Sequence, residues 1–548
     1  MTDKTGDPLG GTAPAPSQMA AELNAGFAFF LDCVVNLFVL AGVLGGGFDF
    51  PDEVLFGKVI PGSIMGIVVG NVLYAAYTRR VVRQTGNHNH TSIPLGIDLP
   101  SVFAMSAFVI GPAYVSNIGE MGETGAATLA WQLGMAAALW MGVIKVGLSF
   151  VGTLVQKGLP QAALIGAMAG IATVYLGAEA IFGIFDLPEV GVFSLMIMAY
   201  ALIAGHRLPG NMPGAIIAIV AGTVLYYVLA LAGAGDGYVI NAAPDIVPAV
   251  PLPTLAGVMA MGGPVLNHLG LILPFALLIA ASSVNIVSGA RLSGDTYNAG
   301  RVVQIDAVAT IASGLFGGVV QTTPYFGHAT YKRMGARSAY ALGVVALVGV
   351  GGFLGLIAFA SKMIPDAALK PILVVVASDI IRLAFASADA RHAPAVLFTL
   401  VPAILNYTAL KVDELYSKLS TSVAQGLSDQ WRDSYFLFSA LSKGYVLTSL
   451  IWGSMLVWII DGRLRAAALA AFAASAFTLF GVIHSVLPSS GMYMPWAIPD
   501  AASDPVLAHR LAAGYAIAGL MLLAFAGMRR VQGLTVYQPD GEKDSEIS

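Results

Sequence analysis

The sequence predicts an all-α integral membrane protein built from two inverted repeats, and three observations support this prediction. Of the 548 residues, 57% are hydrophobic and only 11% are charged, whereas soluble domains carry about a quarter charged residues. Long apolar stretches recur along the chain, separated by short polar joints. Two of these stretches open with similar breaks rich in Thr, Ser, Pro and Gly. We therefore expect a chain that crosses a membrane many times.

The apolar stretches number about sixteen, each close to the roughly 20 residues that a helix needs to cross the hydrocarbon core. They fall at residues 25–45, 59–77, 92–115, 127–153, 161–182, 191–204, 214–232, 268–289, 306–320, 322–330, 338–361, 369–385, 393–410, 436–460, 466–486 and 511–527. The segments "MTDKTGDPLGGTAPAPSQ" and "QPDGEKDSEIS" at the two ends are polar and predict disordered tails. The first also lacks the pattern of a cleaved signal peptide.

Basic residues in short loops predict the orientation, because Lys and Arg are retained on the cytoplasmic side of a membrane. "RRVVR", "KRMGAR" and the late "RR" pair all follow even-numbered spans. The acidic joint "NIGEMGETG" follows an odd-numbered span. We therefore expect both termini in the cytoplasm and a multi-pass protein in a plasma membrane of the bacterial inner-membrane type.

The two breaks are "HTSIPLGIDLPS" in the first half and "QTTPYFGH" in the second. Pro and Gly at membrane depth are tolerated where the backbone lines a cavity, and paired broken spans in two halves indicate a transporter's midplane site. Each break leaves a half-helix start that favours acceptor oxygens or an anion. The alternative is a pair of proline-kinked helices in a packed bundle. The candidate substrate-binding residues are Thr91, Ser92, Gly96 and Asp98 in the first break, and Thr323, Tyr325, Phe326, Gly327 and His328 in the second.

Asp98 and His328 are the ionisable residues of the two breaks. Such groups are costly at membrane depth unless they face a cavity, and both types can exchange protons during a transport cycle. The alternative role is structural hydrogen bonding to the broken backbone. Other ionisable residues inside spans are interpreted as lying near helix ends, where their side chains reach the interface: Asp32, Lys145, Glu179 and Lys443.

The eighth span, "LLIAASSVNIVSGARLSGD", adds Ser283, Asn285 and Ser288 as candidate substrate-binding residues within two helical turns. Asn285 is the most informative, since its amide both donates and accepts hydrogen bonds. The loop "NHNH" has no acidic or cysteine partner at suitable spacing, so we predict no metal and no cofactor. With Cys33 as the single cysteine, no intramolecular disulfide is expected.

"SGLFGGVVQTTPYFGH", followed by an apolar helix, resembles the ninth and tenth spans of the nucleobase and ascorbate transporter family, the xanthine/uracil permeases. "NLFVLAGV" resembles the motif of that family's first span, with Asn36 where a histidine is common. The resemblance implies two inverted sets of seven spans, a core domain with short antiparallel strands in broken spans three and ten, and a gate domain. It also implies that two C-terminal helices are an addition.

The domain boundaries that follow are a disordered tail at 1–23, the first repeat at 24–234, an extracytoplasmic connection at 235–266, the second repeat at 267–460, two extra helices at 461–530 and an acidic tail at 531–548. By position, His328 stands where uracil-type members of the family have a binding glutamate. The glutamate of span eight falls among serines. Both acids are therefore absent at these positions.

The predicted function is secondary active import of a nucleobase-like heterocycle such as a purine or pyrimidine, driven by protons. The alternative is a small-anion carrier on the same fold, because half-helix starts suit anions. An enzyme is not expected, since the sequence shows no "HExxH" motif, matched acid pair or candidate cysteine nucleophile. The expected partners are a small-molecule substrate, a coupling proton and the lipid bilayer, with a homodimer as an option and no nucleic acid.

Overall fold

The structure is a computed structural model that describes residues 18–158, 160–206, 208, 214–235, 237–240, 245–325, 327–417, 428–487, 492–499 and 504–532. Its first half is helical. The helices are α1 (Gln18–Ala41), α2 (Ile60–Thr85), α3 (Leu99–Met105), α4 (Gly111–Gly158), α5 (Gln161–Ile171), α6 (Glu179–Phe185), α7 (Pro188–Met198), α8 (Gly214–Leu231) and α9 (Ala256–Ala260). Helix α4 is interrupted at Gly122, where φ is 68° and ψ is 170°. Helix α1 begins before the predicted boundary at residue 24.

The second half continues in the same way. Its helices are α10 (Leu269–Leu292), α11 (Ala299–Leu315), α12 (His328–Arg333), α13 (Ala339–Phe353), α14 (Leu356–Met363), α15 (Asp366–Leu369), α16 (Pro371–Ser387), α17 (Ala393–Ser417), α18 (Asp429–Ser442), α19 (Tyr445–Ile460), α20 (Leu464–Leu479) and α21 (Pro505–Gln532). Glycines in the left-handed conformation, Gly355 and Gly444, start α14 and α19, where the chain bends by 75° and 77°.

The two breaks pair with each other. Strand β1 (Leu95–Ile97) runs antiparallel to β2 (Thr322–Pro324), with Gly96 opposite Thr323. Main-chain bonds beyond each end extend the ladder, from Asp98 N to the Gln321 carbonyl (2.9 Å) and from Tyr325 N to the Pro94 carbonyl (2.8 Å). The backbone groups freed by the breaks are thus satisfied within the protein, as membrane depth requires. The short antiparallel strands expected in broken spans three and ten are confirmed.

The helices pack in two groups and an addition. In one group, the core, α1, α2, α4, α10, α11 and α13 contact one another and enclose the strands. In the other group, the gate, α5 packs against α16, α17 and α19, and α7 against α8. Helices α20 and α21 pack together, and α20 contacts α19 of the gate. Tyr515 of α21 fixes this addition, because its hydroxyl lies 2.7 Å from Trp452 Nε1 and 2.8 Å from His484 Nε2.

Among the described residues, 8 helices are long and apolar enough to cross a membrane, or up to 10 if each bent pair is one span. Several of the other predicted spans are shorter apolar helices or the broken segments at β1 and β2. The breaks lie at the start of spans three and ten, where each strand is followed by a short helix, α3 after β1 and α12 after β2. The architecture is that of an inverted 7+7 repeat of membrane helices.

Candidate functional site

A cavity of about 310 Å³ lies between the core and the gate. Its core wall is formed by α1, the ends of β1 and β2, and α10. Its gate wall is formed by α5, α8 and α16. The polar residues of the lining are Asp32, Asn36, Asp98, Ser282, Thr323 and Tyr325, all on the core side. The gate side contributes Met168, Ala215, Ile372, Val376 and Ile380. The side chains that can bind a polar solute are therefore on one wall of the cavity.

Asp98 lies between β1 and α3 and caps the helix. Its Oδ2 accepts hydrogen bonds from the Ser101 main-chain nitrogen (2.9 Å) and from the Ser101 hydroxyl. A carboxylate at this position satisfies a free N–H of the first turn. The half-helix start predicted to attract an anion is thus already occupied by the protein's own carboxylate. Asp98 also lines the cavity, so its carboxyl group lies within reach of a solute.

Asn36 and Tyr325 of this wall are joined by a hydrogen bond, and Asp32 binds a tyrosine outside the lining. The Asn36 amide donates to the Tyr325 hydroxyl, which donates to the Ile97 carbonyl (3.2 Å). Asp32, in the middle of α1, accepts a hydrogen bond from Tyr331 and exposes its side chain to the cavity. The interpretation of Asp32 as a residue near a helix end is therefore wrong. Asp32 and Asn36 are four residues apart in α1, so the helix period places their side chains on the same face.

Gly96, predicted as a substrate-binding residue, lies fully buried beneath Tyr325. A Cβ atom at Gly96 would overlap the Tyr325 hydroxyl and ring. The missing side chain therefore lets the tyrosine lie across the strand and reach the cavity. Thr323, its partner across the ladder, lines the cavity directly.

Behind the strands lies a buried ion pair that the sequence interpretation missed. Lys145 Nζ of α4 is 2.8 Å from Asp306 Oδ2 of α11, and both side chains are fully buried. The reading of Lys145 as a residue near a helix end is therefore wrong. Its place well inside the apolar span 127–153 was the available signal, since a lysine there cannot reach the interface easily.

The residues that open the first break join a cluster outside the cavity lining. The carboxylate of Asp295, in the loop after α10, lies 2.8 Å from His328 Nε2, 2.5 Å from Lys332 Nζ and 3.2 Å from the Thr91 main-chain nitrogen. Burial by itself raises the pKa of Asp295, but the hydrogen bonds from His328 and Lys332 outweigh it, so the pKa lies below its ordinary value. The Ser92 main chain donates to the Arg337 carbonyl (2.8 Å) and accepts from the Tyr340 hydroxyl (2.7 Å).

His328 and Thr91 therefore tie the two breaks to the loop between α10 and α11. They do not belong to the cavity lining, and their hydrogen bonds to Asp295 favour the alternative, structural role. Binding of substrate by these two residues is an untested prediction. Gly327 precedes α12, close to the Tyr331 ring.

In α10 the serines face in different directions. Ser282 lines the cavity, whereas the Ser283 hydroxyl is 3.2 Å from Asp306 Oδ2 and 3.0 Å from the Ile279 carbonyl. The sequence predicts Ser283 as a binding residue, but its neighbour Ser282 lines the cavity. Consecutive side chains of a helix point about 100° apart, so only one of the two can face the cavity. Phe326 and the side chains of Asn285 and Ser288 lie outside the described part of the structure.

Comparison with protein-family models gives no match, and comparison with curated proteins gives none either. Solved structures do match. Murine Slc26a9, an anion transporter in the inward-facing state, aligns with a TM-score of 0.54 at 12% identity, covering 80% of this chain and 68% of that chain. A second SLC26A9 structure gives 0.52 at 11% identity, covering 74% and 66%. The transmembrane domain of a cyanobacterium bicarbonate transporter, BicA, gives 0.47 at 14% identity, covering 80% and 97%.

At these identities the likeness shows the fold, which is that of membrane transporters with two inverted sets of seven spans. This is the fold implied by the resemblance to the xanthine/uracil permeases. Membership of that family in particular is not confirmed.

Proposed function

We propose that this chain is a secondary active transporter that imports a small anion together with a proton through the cavity between core and gate. The observation that carries the proposal is the asymmetric lining: among the described residues, every polar side chain of the cavity is on the core, and the gate wall is apolar. Movement of one wall past the other would then carry the solute without breaking contacts to the gate. Solved structures of an anion transporter share the fold, which favours the anion over the heterocycle.

The two carboxyl groups explain why a proton would accompany the anion. Asp32 and Asp98 both line the cavity, and none of the lining residues that the structure describes is basic. Two like charges about 4 Å apart repel by about 4 kcal/mol at an effective dielectric constant of about 20. An anion therefore enters only when a carboxyl group is protonated, and the protonated group then donates a hydrogen bond to it. Binding of the anion and of the proton become mutually dependent.

Import of a nucleobase-like heterocycle is the second candidate, and Asp32 and Asp98 favour it. The resemblance to xanthine/uracil permeases lacks the binding glutamates at their expected positions, but these two aspartates supply carboxylates to the same cavity from α1 and β1. A carboxylate accepts hydrogen bonds from ring N–H groups.

Uptake into proteoliposomes separates the two candidates. The panel contains bicarbonate, sulfate, small carboxylates, uracil and xanthine, each with and without an inward proton gradient. We expect accumulation of one of the anions only with the gradient. Gradient-driven accumulation of uracil or xanthine alone would support the second candidate, and uptake of neither class would contradict the proposal.

A matched pair of variants tests the cavity itself. Val376→Trp places an indole in the cavity from α16 and is expected to abolish uptake. Val224→Trp makes the same change at an exposed position of α8 and should leave uptake intact. Equal activity of both variants would show that the solute takes another route.

A further inference from the structure

Every N–H donor of the Lys145 ammonium group has an oxygen partner. Its Nζ atom lies 2.8 Å from Asp306 Oδ2, 3.1 Å from Thr310 Oγ1 and 2.8 Å from the Thr322 carbonyl oxygen. An ammonium group has three N–H donors, and the three oxygens account for all of them. These oxygens come from a carboxylate, a hydroxyl group and the main chain of strand β2.

A second layer of hydrogen bonds holds these oxygens in place. Thr322 Oγ1 lies 2.8 Å from Asp306 Oδ1 and 2.9 Å from Thr310 Oγ1, and the Thr322 main-chain nitrogen donates to Thr310 Oγ1 over 3.1 Å. Ser283 binds the carboxylate from α10. The oxygens would therefore keep their positions whichever cation lies among them.

The oxygens of Asp306, Thr310 and Thr322 around Lys145 Nζ form an oxygen shell. This oxygen shell lies next to the cavity. Thr322 directly precedes Thr323, which lines the cavity, and both belong to β2. In broken-helix transporters, carbonyl groups of unwound backbone are the typical ligands of coupling sodium ions. Here the same kind of carbonyl, together with a carboxylate and a hydroxyl group, surrounds a lysine.

We propose that Lys145 is a tethered cation, which fills with its own ammonium group the place among Asp306, Thr310 and Thr322 that a small monovalent cation would otherwise occupy. If the proposed function holds, transport needs no sodium ion at this place, so this consequence rests on the proposed function. The filling of the oxygen shell by Lys145 is independent of the proposed function. Lysine suits the role because its ammonium is a compact point charge like the sodium ion, whereas a planar guanidinium is not.

Thermal melting of the purified, substrate-free protein tests the proposal. The cations compared are sodium, methylammonium and the much larger N-methylglucamine, all as chlorides at one ionic strength. The wild-type melting temperature should be the same in all three, because the shell is filled. Lys145→Ala opens the shell, and sodium or methylammonium should then raise its melting temperature saturably, by roughly 2–4 °C relative to N-methylglucamine.

Lys145→Ala combined with Asp306→Asn is the matched control. It lacks the carboxylate, so its melting temperature should not depend on the cation. Cation dependence equal in the single and double variants would overturn the proposal, as would a sodium-dependent melting temperature of the wild type. If Lys145→Ala cannot be purified folded even in sodium or methylammonium while the double variant can, small cations do not replace the ammonium group, and the proposal also fails.

The readout needs no substrate, so it separates this inference from the proposed function. A cation-dependent Lys145→Ala variant in a protein without anion uptake would defeat the function and leave the tethered cation in place.

Discussion

The two broken segments pair with each other, yet they leave their strands differently. After β1 the chain enters α3 through one residue, Asp98, whereas after β2 it passes Tyr325 and two further residues before α12 begins at His328. Asp98 and Tyr325 directly follow their strands, and both line the cavity. His328, the ionisable residue that matches Asp98 in the sequence pattern of the breaks, instead binds Asp295. The corresponding positions of the two breaks are therefore those that follow the strands, Asp98 and Tyr325, and not the two ionisable residues.

The comparison assumes that the two broken segments enter the membrane from opposite sides, and cysteine labelling tests this assumption. In a Cys33→Ala background, a cysteine at Asn117 should react fully with an impermeant thiol reagent added outside cells, and a cysteine at Arg83 should not react, because loop charge places these joints on opposite sides. The reverse labelling pattern would invert the predicted orientation of the membrane spans.

Asp98→Asn should have the largest effect on transport. The change keeps size and hydrogen-bonding capacity but removes the titratable carboxyl group, so gradient-driven accumulation should fall to background while substrate still binds. Asp379→Asn, at an exposed position on α16, makes the same change and should accumulate substrate normally. Unchanged accumulation by Asp98→Asn would assign Asp98 to helix capping alone.

Gly96→Ala should be the most damaging small change in the strands. The added methyl group overlaps Tyr325, and overpacking of this kind typically costs about 1–3 kcal/mol of stability. We expect a lower melting temperature and weakened substrate binding, since the tyrosine must leave the cavity. Gly343→Ala, in α13 with no neighbour near its Cβ, is the control. Normal binding by the Gly96 variant would mean that Tyr325 is dispensable.

His328→Ala should lower stability and leave substrate affinity unchanged, because His328 contacts Asp295 and lies outside the cavity lining. Loss of one partner of a buried carboxylate costs about 1–3 kcal/mol. His328→Gln can donate to Asp295 and should recover part of this loss. Calorimetric melting and substrate titration of both variants measure the two effects. Affinity that falls while melting is unaltered would place the histidine at the substrate after all.

Tyr325→Phe should have the smallest effect. It removes the hydroxyl group between Asn36 and the Ile97 carbonyl, which is worth about 0.5–1.5 kcal/mol, or up to roughly tenfold in affinity if the group also contacts substrate. Tyr226→Phe, whose hydroxyl binds Val239 at an exposed site, is the control. Equal melting temperatures and affinities of the two variants would show that the Tyr325 hydroxyl contributes nothing.

The sequence predicts the fold well, because its signals are local. Apolar runs, loop charge and Pro/Gly breaks each act over a few residues. The pairing of β1 with β2 was implied only by the resemblance to the xanthine/uracil permeases. The lining of the cavity is predicted only in part. Asp98, Thr323 and Tyr325 were predicted from the breaks themselves, and all three line it.

Asp32 and Lys145 were assigned to helix ends because each is a lone charge in an apolar run. Their true surroundings depend on distant partners, Tyr331 for Asp32 and Asp306 for Lys145. Local pattern says only that such a residue is expensive in a membrane. It does not say which oxygen or ammonium group offsets the cost, since that is decided by how helices far apart in the chain pack.

The ladder between β1 and β2 also imposes a delay during synthesis. Ile97 pairs with Thr322, a sequence separation of 225 residues (322 − 97). At about 5–20 residues per second, the ribosome needs on the order of 10–45 s to deliver the partner strand. Throughout that interval the first break has peptide groups that hydrocarbon cannot satisfy. We therefore expect nascent chains stalled before Thr322, in a Cys33→Ala background, to leave a cysteine at Leu95, a buried position of β1, open to a water-soluble thiol reagent, and chains released beyond Tyr325 to protect it. Protection of the stalled chain would show that the first repeat closes its break unaided.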